Sequence, residues 1–145
     1  MKGIIFRGKS IDTGEWVYGD VYATSETPMI IRNGIASEWD NFIAVDKDTI
    51  GQYVGLNDIK DNKIFRGDIC KFIINHGYIE EISSGQIFYE DCGWSITNKA
   101  TSLENSMCSI GLGSFVNGWS GEKSPPSVIE VIGNVWDNPE LLEVN

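Results

Sequence analysis

The stretch Ile69-Cys70-Lys71-Phe72-Ile73-Ile74-Asn75-His76-Gly77-Tyr78-Ile79-Glu80-Glu81-Ile82-Ser83-Ser84-Gly85-Gln86-Ile87-Phe88-Tyr89-Glu90-Asp91-Cys92-Gly93-Trp94-Ser95-Ile96 decides the fold class. Ile69 to Ile74 is a near-continuous apolar run interrupted only by Lys71, too short for a helix of ordinary length and rich in branched residues. Asn75-His76-Gly77 carries turn chemistry, and Tyr78 to Ile82 reads as the return strand. Ser83-Ser84-Gly85 then leads to Gln86 to Tyr89, and Asp91-Cys92-Gly93 turns into Trp94 to Ile96. Four short strands at regular spacing predict an antiparallel sheet, or a small SH3-like barrel, and disfavour βαβ units.

Working back toward the N-terminus, Ile4 to Gly8 and Trp16 to Tyr22 form a predicted hairpin around Asp12-Thr13-Gly14. A third strand is expected over Pro28 to Arg32, running into the hairpin dipeptide Asn33-Gly34. Ile35 to Val45 fits neither a helical nor a strand period and is left as strand or irregular. Asp46 to Asp68 is dense in Gly, Asp, Asn and Lys and reads as a hinge, with turns expected around Gly55 to Asn57 and around Asp61-Asn62.

Toward the C-terminus, Ser102 is a candidate cap for a short helix with Leu103, Met107 and Ile110 on one side, ended by the glycines at 111, 113, 118 and 121. Val128 to Trp136 reads as a final strand. Asn138-Pro139-Glu140 then predicts a short terminal helix, with a capping side chain, a proline at the first helical position and an acid at the dipole's positive end. The fold expected is therefore mainly β: two small antiparallel β units, 1–58 and 59–145, the second a candidate SH3-like barrel with a short C-terminal helix.

The 145 residues hold 11 basic and 21 acidic side chains, for a net charge of −10. That balance opposes a bare phosphate backbone as partner. Residues 1–58 hold 5 basic and 9 acidic residues and residues 59–145 hold 6 and 12, so the excess is diffuse rather than an ordered DNA-like array. No apolar run approaches membrane-helix length, and Arg7 interrupts the opening apolar residues, so a cytoplasmic location without a secretory signal is expected.

Chemistry-bearing patterns are sparse. Cys70, Cys92 and Cys108 are 22 and 16 residues apart, without the close pairing typical of structural zinc ligands, and His76 is the single histidine. Reduced thiols are expected, although a Cys3His set is the one metal arrangement these residues allow. The neighbouring acids Glu80-Glu81 and Glu90-Asp91 fall on strands, where adjacent side chains face opposite ways and do not act as a pair. No phosphate-cradling glycine loop is present, Val116 stands where a dinucleotide fingerprint takes its third glycine, and there is no nucleophile elbow. Arg66-Gly67-Asp68 is a turn entering the Ile69 strand. Phe6-Arg7-Gly8 recurs as Phe65-Arg66-Gly67, which is read as coincidence rather than duplication. The rings of Trp16, Trp39, Trp94, Trp119 and Trp136 are assigned to core and interface packing in preference to a base-stacking platform. No catalytic, cofactor-binding or metal-ligating residue is assigned, no cofactor is expected, and the chain is read as a protein that is not an enzyme.

Asp48-Thr49-Ile50-Gly51-Gln52-Tyr53-Val54-Gly55-Leu56-Asn57-Asp58 followed by Lys63-Ile64-Phe65-Arg66-Gly67-Asp68-Ile69 strongly resembles the YopX family of phage and prophage proteins. Ile5-Phe6-Arg7-Gly8 with Trp16-Val17-Tyr18-Gly19 resembles the family opening. Glu130-Val131-Ile132-Gly133-Asn134-Val135-Trp136-Asp137-Asn138-Pro139-Glu140-Leu141-Leu142 resembles its close. Val54 departs from the usual threonine. The resemblance implies a mostly β fold, a phage or prophage gene and no assigned catalytic residues. The signature glycines 51, 55 and 67 are expected to serve chain reversals, with Tyr53 and Leu56 packing beside them. The function expected is that of a phage accessory protein that binds proteins or assembles with itself as a homo-oligomer, on an unknown phage or host partner. The alternatives are a nucleic-acid-associated role for the C-terminal unit and an acidic DNA mimic that inhibits a host protein.

Overall fold

The computed structural model describes residues 4–23, 26–32, 39–75, 80–90, 93–98, 108–111 and 128–142. Eleven strands and three short 3-10 turns are described, and the chain divides into two compact units, Met1–Gly55 and Leu56–Asn145. No helix among the described residues is long and apolar enough to cross a membrane.

In the first unit, β1 (Phe6–Lys9) and β2 (Trp16–Tyr22) form the expected hairpin, in register from Lys9 opposite Trp16 to Phe6 opposite Gly19. Its turn is closed by Ser10 N–H donating to the Glu15 carbonyl and Gly14 N–H to the Ser10 carbonyl, with Gly14 at φ +72°. β3 (Met29–Arg32) and β4 (Phe42–Ala44) extend the sheet in the order β4-β3-β2-β1-β5, where β5 spans Gly51–Asn57. The expected turn at Asn33-Gly34 lies outside the described residues. The ambiguous segment before Val45 resolves, where described, into a 3-10 turn Trp39–Asn41 and the short β4.

Strand alternation divides the side chains of this sheet between two faces. Ile30 and Val45 are fully buried on the inner face, and Gly8 lies so close to Val45 that an added Cβ would stand 3.0 Å from it. A bridge between Ser10 and Val45, flanked by Ile11 N–H donating to the Ala44 carbonyl and Asp46 N–H to the Lys9 carbonyl, draws the end of β4 back to the end of β1. Asp46 then caps a 3-10 turn, Lys47–Thr49, by accepting from the Asp48 N–H. The buried Thr49 hydroxyl accepts from Lys9 N–H at 2.9 Å and donates to the Asp46 carbonyl at 2.6 Å, fixing where β5 starts beside β1.

One of the hinge expectations needs correction. Gly55 to Asn57 is not a turn: β5 runs through it, with Gly55 at φ +86° as a local irregularity. The remainder forms a hairpin with β6 (Lys63–Phe65) through a single tight turn, Asp58 to Asn62. Asp61 N–H donates to the Asp58 carbonyl and Asp61 sits at φ +65°, so a β-turn followed by one left-handed residue makes a three-residue loop.

In the second unit, β7 (Asp68–Asn75), β8 (Glu80–Glu90), β9 (Gly93–Asn98), β10 (Cys108–Gly111) and β11 (Val128–Asn134) form a sheet in the order β10-β9-β8-β7-β11. Ser83-Ser84-Gly85 does not break the chain as expected. β8 is one long strand whose first part, Glu80 to Gln86, pairs with β7, while Ile87 to Glu90 pair with β9. Hydrogen bonding to β7 continues across the serines, which overrides their turn preference. Phe72, Ile69, Ile87, Ile96, Ile64 and Cys70 are fully buried and form the core. The barrel expectation is also corrected: the sheet is open, and the outer edge of β11 is taken by the Asp58 turn instead of another strand.

Ile110 belongs to β10 rather than to the helix proposed after Ser102, whose other residues lie outside the described ones. The final strand stops at Asn134, before Trp136. The terminal helix is a 3-10 turn, Pro139–Leu142, and the Asn138 side chain before it accepts from the Asn134 N–H.

Candidate interaction surface

The residues that carry the sequence signature hold turns together. Gly67, at φ +89°, lies under the Trp136 ring, and any Cβ there would overlap Cη2 and Cζ3 of that ring. Asp68, almost fully buried, accepts from the Phe65 N–H at 2.8 Å and so closes the Phe65-Arg66-Gly67-Asp68 turn with its side chain. Val135 N–H donates to the Gly67 carbonyl and Gly67 N–H to the Ile87 carbonyl, anchoring this turn between β8 and the end of β11. Phe6-Arg7-Gly8 lies within β1, so the same three letters adopt unrelated conformations at the two places.

The closing segment works similarly. Asn134 Oδ1 accepts from the N–H groups of Trp136 and Asp137, and its Nδ2 donates to Asp137 Oδ2. Gly133 leaves room for the Asn138 side chain, whose Oδ1 would stand 2.5 Å from an added Cβ.

Asp58 is engaged through both carboxyl oxygens. Oδ1 accepts from Lys60 N–H at 2.9 Å and Asn62 N–H at 2.8 Å, and Oδ2 from Val131 N–H at 2.9 Å. Burial opposes its ionisation, but the donors of Val131, Asn62 and Lys60 outweigh that and hold the carboxyl below its ordinary value of 3.8. This carboxylate faces backbone donors, an arrangement suited to fixing a loop rather than moving a proton.

The outer face of the first unit's sheet is different. Alternation along β2 sends Tyr18, Asp20 and Tyr22 outward, and the register sets Ile31 opposite Asp20 and Phe42 opposite Ile31. Trp39 is 85% exposed and its ring lies 5.3 Å from that of Phe42, which in turn meets Tyr22 edge-on at 5.8 Å. Tyr22 and Tyr18 are 51% and 48% exposed. At the other side of the same face, the Trp16 ring carries the Arg7 guanidinium at 4.4 Å and the Lys9 ammonium at 5.5 Å. The result is an aromatic surface that includes the exposed acids Asp20, between Tyr18 and Tyr22 along β2, and Asp40, next to Trp39 in the chain.

The expectation that these rings serve packing in general does not single out this face. The period-two spacing of Trp16, Tyr18 and Tyr22 was the available signal, since one polar strand face does not ordinarily carry three large rings. Nothing in the sequence brings Trp39 to that face, because the 3-10 turn that places it falls in a segment without a clean period.

Two shallow clefts accompany the sheet. One, of about 400 Å³, is lined by Glu15, Val17, Arg32 and Ile43 among others, and another, of about 450 Å³, by Lys9, Glu26, Pro28 and Asp46 among others. Among the described residues no group of three or more His, Cys, Asp or Glu side chains is placed to hold a metal. Cys70 is fully buried in the second unit's core. His76 and Cys92 lie outside the described residues, as do the side chains of Cys108, Glu80, Glu81, Glu90 and Asp91.

The YopX protein family model matches residues 5–143, spanning the N-terminal hairpin, the Asp58 and Gly67 turns and the closing segment. The chain belongs to the YopX family. In this YopX chain the glycine and aspartate signature forms the turns just described, whereas among the described residues the exposed rings of Tyr22, Trp39 and Tyr89 lie outside the signature stretches. No curated protein matches the sequence.

Proposed function

We propose that this YopX chain is a phage- or prophage-encoded accessory protein that acts by binding a protein partner, without turnover, through the outer aromatic face of its N-terminal sheet. The observation that carries this reading is the exposed Trp39, its ring tilted against that of Phe42 and continued by Tyr22 and Tyr18. Large exposed aromatic surface is costly to leave in water, and Trp and Tyr are the residues most enriched where interfaces are strong. The partner that fits is a protein surface presenting apolar side chains together with cations, because the aromatic surface includes Asp20 and Asp40 and the chain carries a net charge of −10.

The test compares wild-type chain with Trp39→Ala and Tyr22→Ala variants as baits in infected host cells, followed by direct titration of each captured protein in purified form. Loss of one partner's binding by about tenfold or more in both variants, with circular dichroism unchanged, supports the reading. Equal affinity of every captured partner for wild type and variants refutes it.

A further inference from the structure

The Asp58 turn lies along the outer edge of β11. Ile59 N–H donates to the Ile129 carbonyl at 3.0 Å, and Val131 N–H donates to Asp58 Oδ2 at 2.9 Å. Between them, Lys60 Nζ pairs with Glu130 at 2.7 Å. Ile129 and Val131 lie opposite Phe72 and Cys70 of β7, so the groups bonded to the turn are those pointing away from the sheet. They are also two residues apart, the interval at which a neighbouring strand engages successive outward groups. The turn thus offers one donor and one acceptor where a further strand would offer its own.

We propose that the Asp58 turn is a built-in cap on this edge, and that the uncovered edge takes a strand from a second copy of this chain. A bare strand edge is a template for pairing with another chain, and natural sheets are covered or charged at such places. Up to the register shift between Val131 and Gly133, β11 is suited to pairing once bare: Val128-Ile129-Glu130-Val131 is in unbroken register with β7 and rich in branched apolar residues. In a solution of one chain every molecule presents the same edge, so a twofold arrangement of β11 on β11 satisfies both copies together.

Two variants of the full chain test this by sedimentation over a concentration series. Asp58→Ala removes the acceptor of Val131. Ile59→Pro removes the donor to Ile129 while placing proline at the second position of a β-turn, which suits it, so this variant keeps the loop should Asp58→Ala fail to fold. The expected result is a weight-average mass rising to at least about twice the wild-type value as concentration increases. Adding Val131→Pro, which deletes the outward donor on an edge strand where proline is tolerated, returns the mass to the wild-type value. Folded variants that track the wild-type mass throughout overturn the proposal, as does association that persists with Val131→Pro.

Discussion

Replacing Gly67 with alanine tests whether the signature is structural. Two separable costs arise at this position. At φ +89° an L-residue is strained by about 1 to 2 kcal/mol, partly offset by the reduced freedom of alanine in the unfolded chain. The new Cβ also overlaps the Trp136 ring, and overpacking of that kind costs about 1 to 3 kcal/mol. Gly67→Ala is therefore expected to destabilise the C-terminal unit by about 3 kcal/mol in urea unfolding followed by circular dichroism. Trp136→Ala is destabilising by itself because the half-buried ring loses its contact with the turn. Made in that background, Gly67→Ala should cost only about 1 kcal/mol, since the overlap has gone and the strain remains. The double-mutant cycle should then show a coupling of about 2 kcal/mol. Equal costs in the two backgrounds would refute the role given to the Trp136 contact, and a cost below about 0.5 kcal/mol in the native background would refute the strain argument as well.

Further outcomes follow from the same geometry. Asp58 has a folded pKa below its unfolded value near 3.8, so its stabilisation is present above that value and is lost as pH falls through the folded pKa. Asp58→Asn should therefore lower stability by about 2 kcal/mol at neutral pH, and the gap to wild type should narrow in acid; a gap independent of pH contradicts the assignment. Thr49→Val, which leaves the Lys9 N–H without the hydroxyl oxygen, should cost about 1 to 3 kcal/mol in thermal or urea unfolding, whereas Thr49→Ser should cost about 1 kcal/mol through the lost methyl group. Trp39→Ala should change stability by no more than about 0.5 kcal/mol while weakening partner binding; a larger stability loss would make Trp39 a packing residue and remove it from the proposed surface.

What was legible in the sequence follows the range of the interactions involved. The hairpin of β1 and β2, the strand over Ile69 to Ile74 and the turn at Asp61-Asn62 rest on local alternation and turn chemistry, and the structure has all three. Ser83-Ser84-Gly85 misleads because turn propensity is local, whereas the β7 partner that holds these residues in an extended strand is not. The barrel expectation fails for a related reason. Pattern alone cannot show that β11's outer edge is occupied by Asp58, 73 residues away in sequence from Val131.

The same distinction bears on where function lies. Gly67, Asp68, Gly133, Asn134 and Asn138 are each engaged in closing a turn or making room for a neighbouring side chain, so these signature residues identify the fold. Trp39 and Tyr22 make ring contacts yet remain more than half exposed, so packing alone does not explain their size. A chain that kept the signature but lost these rings would retain the stability of both units and, on the function proposed above, lose its partner.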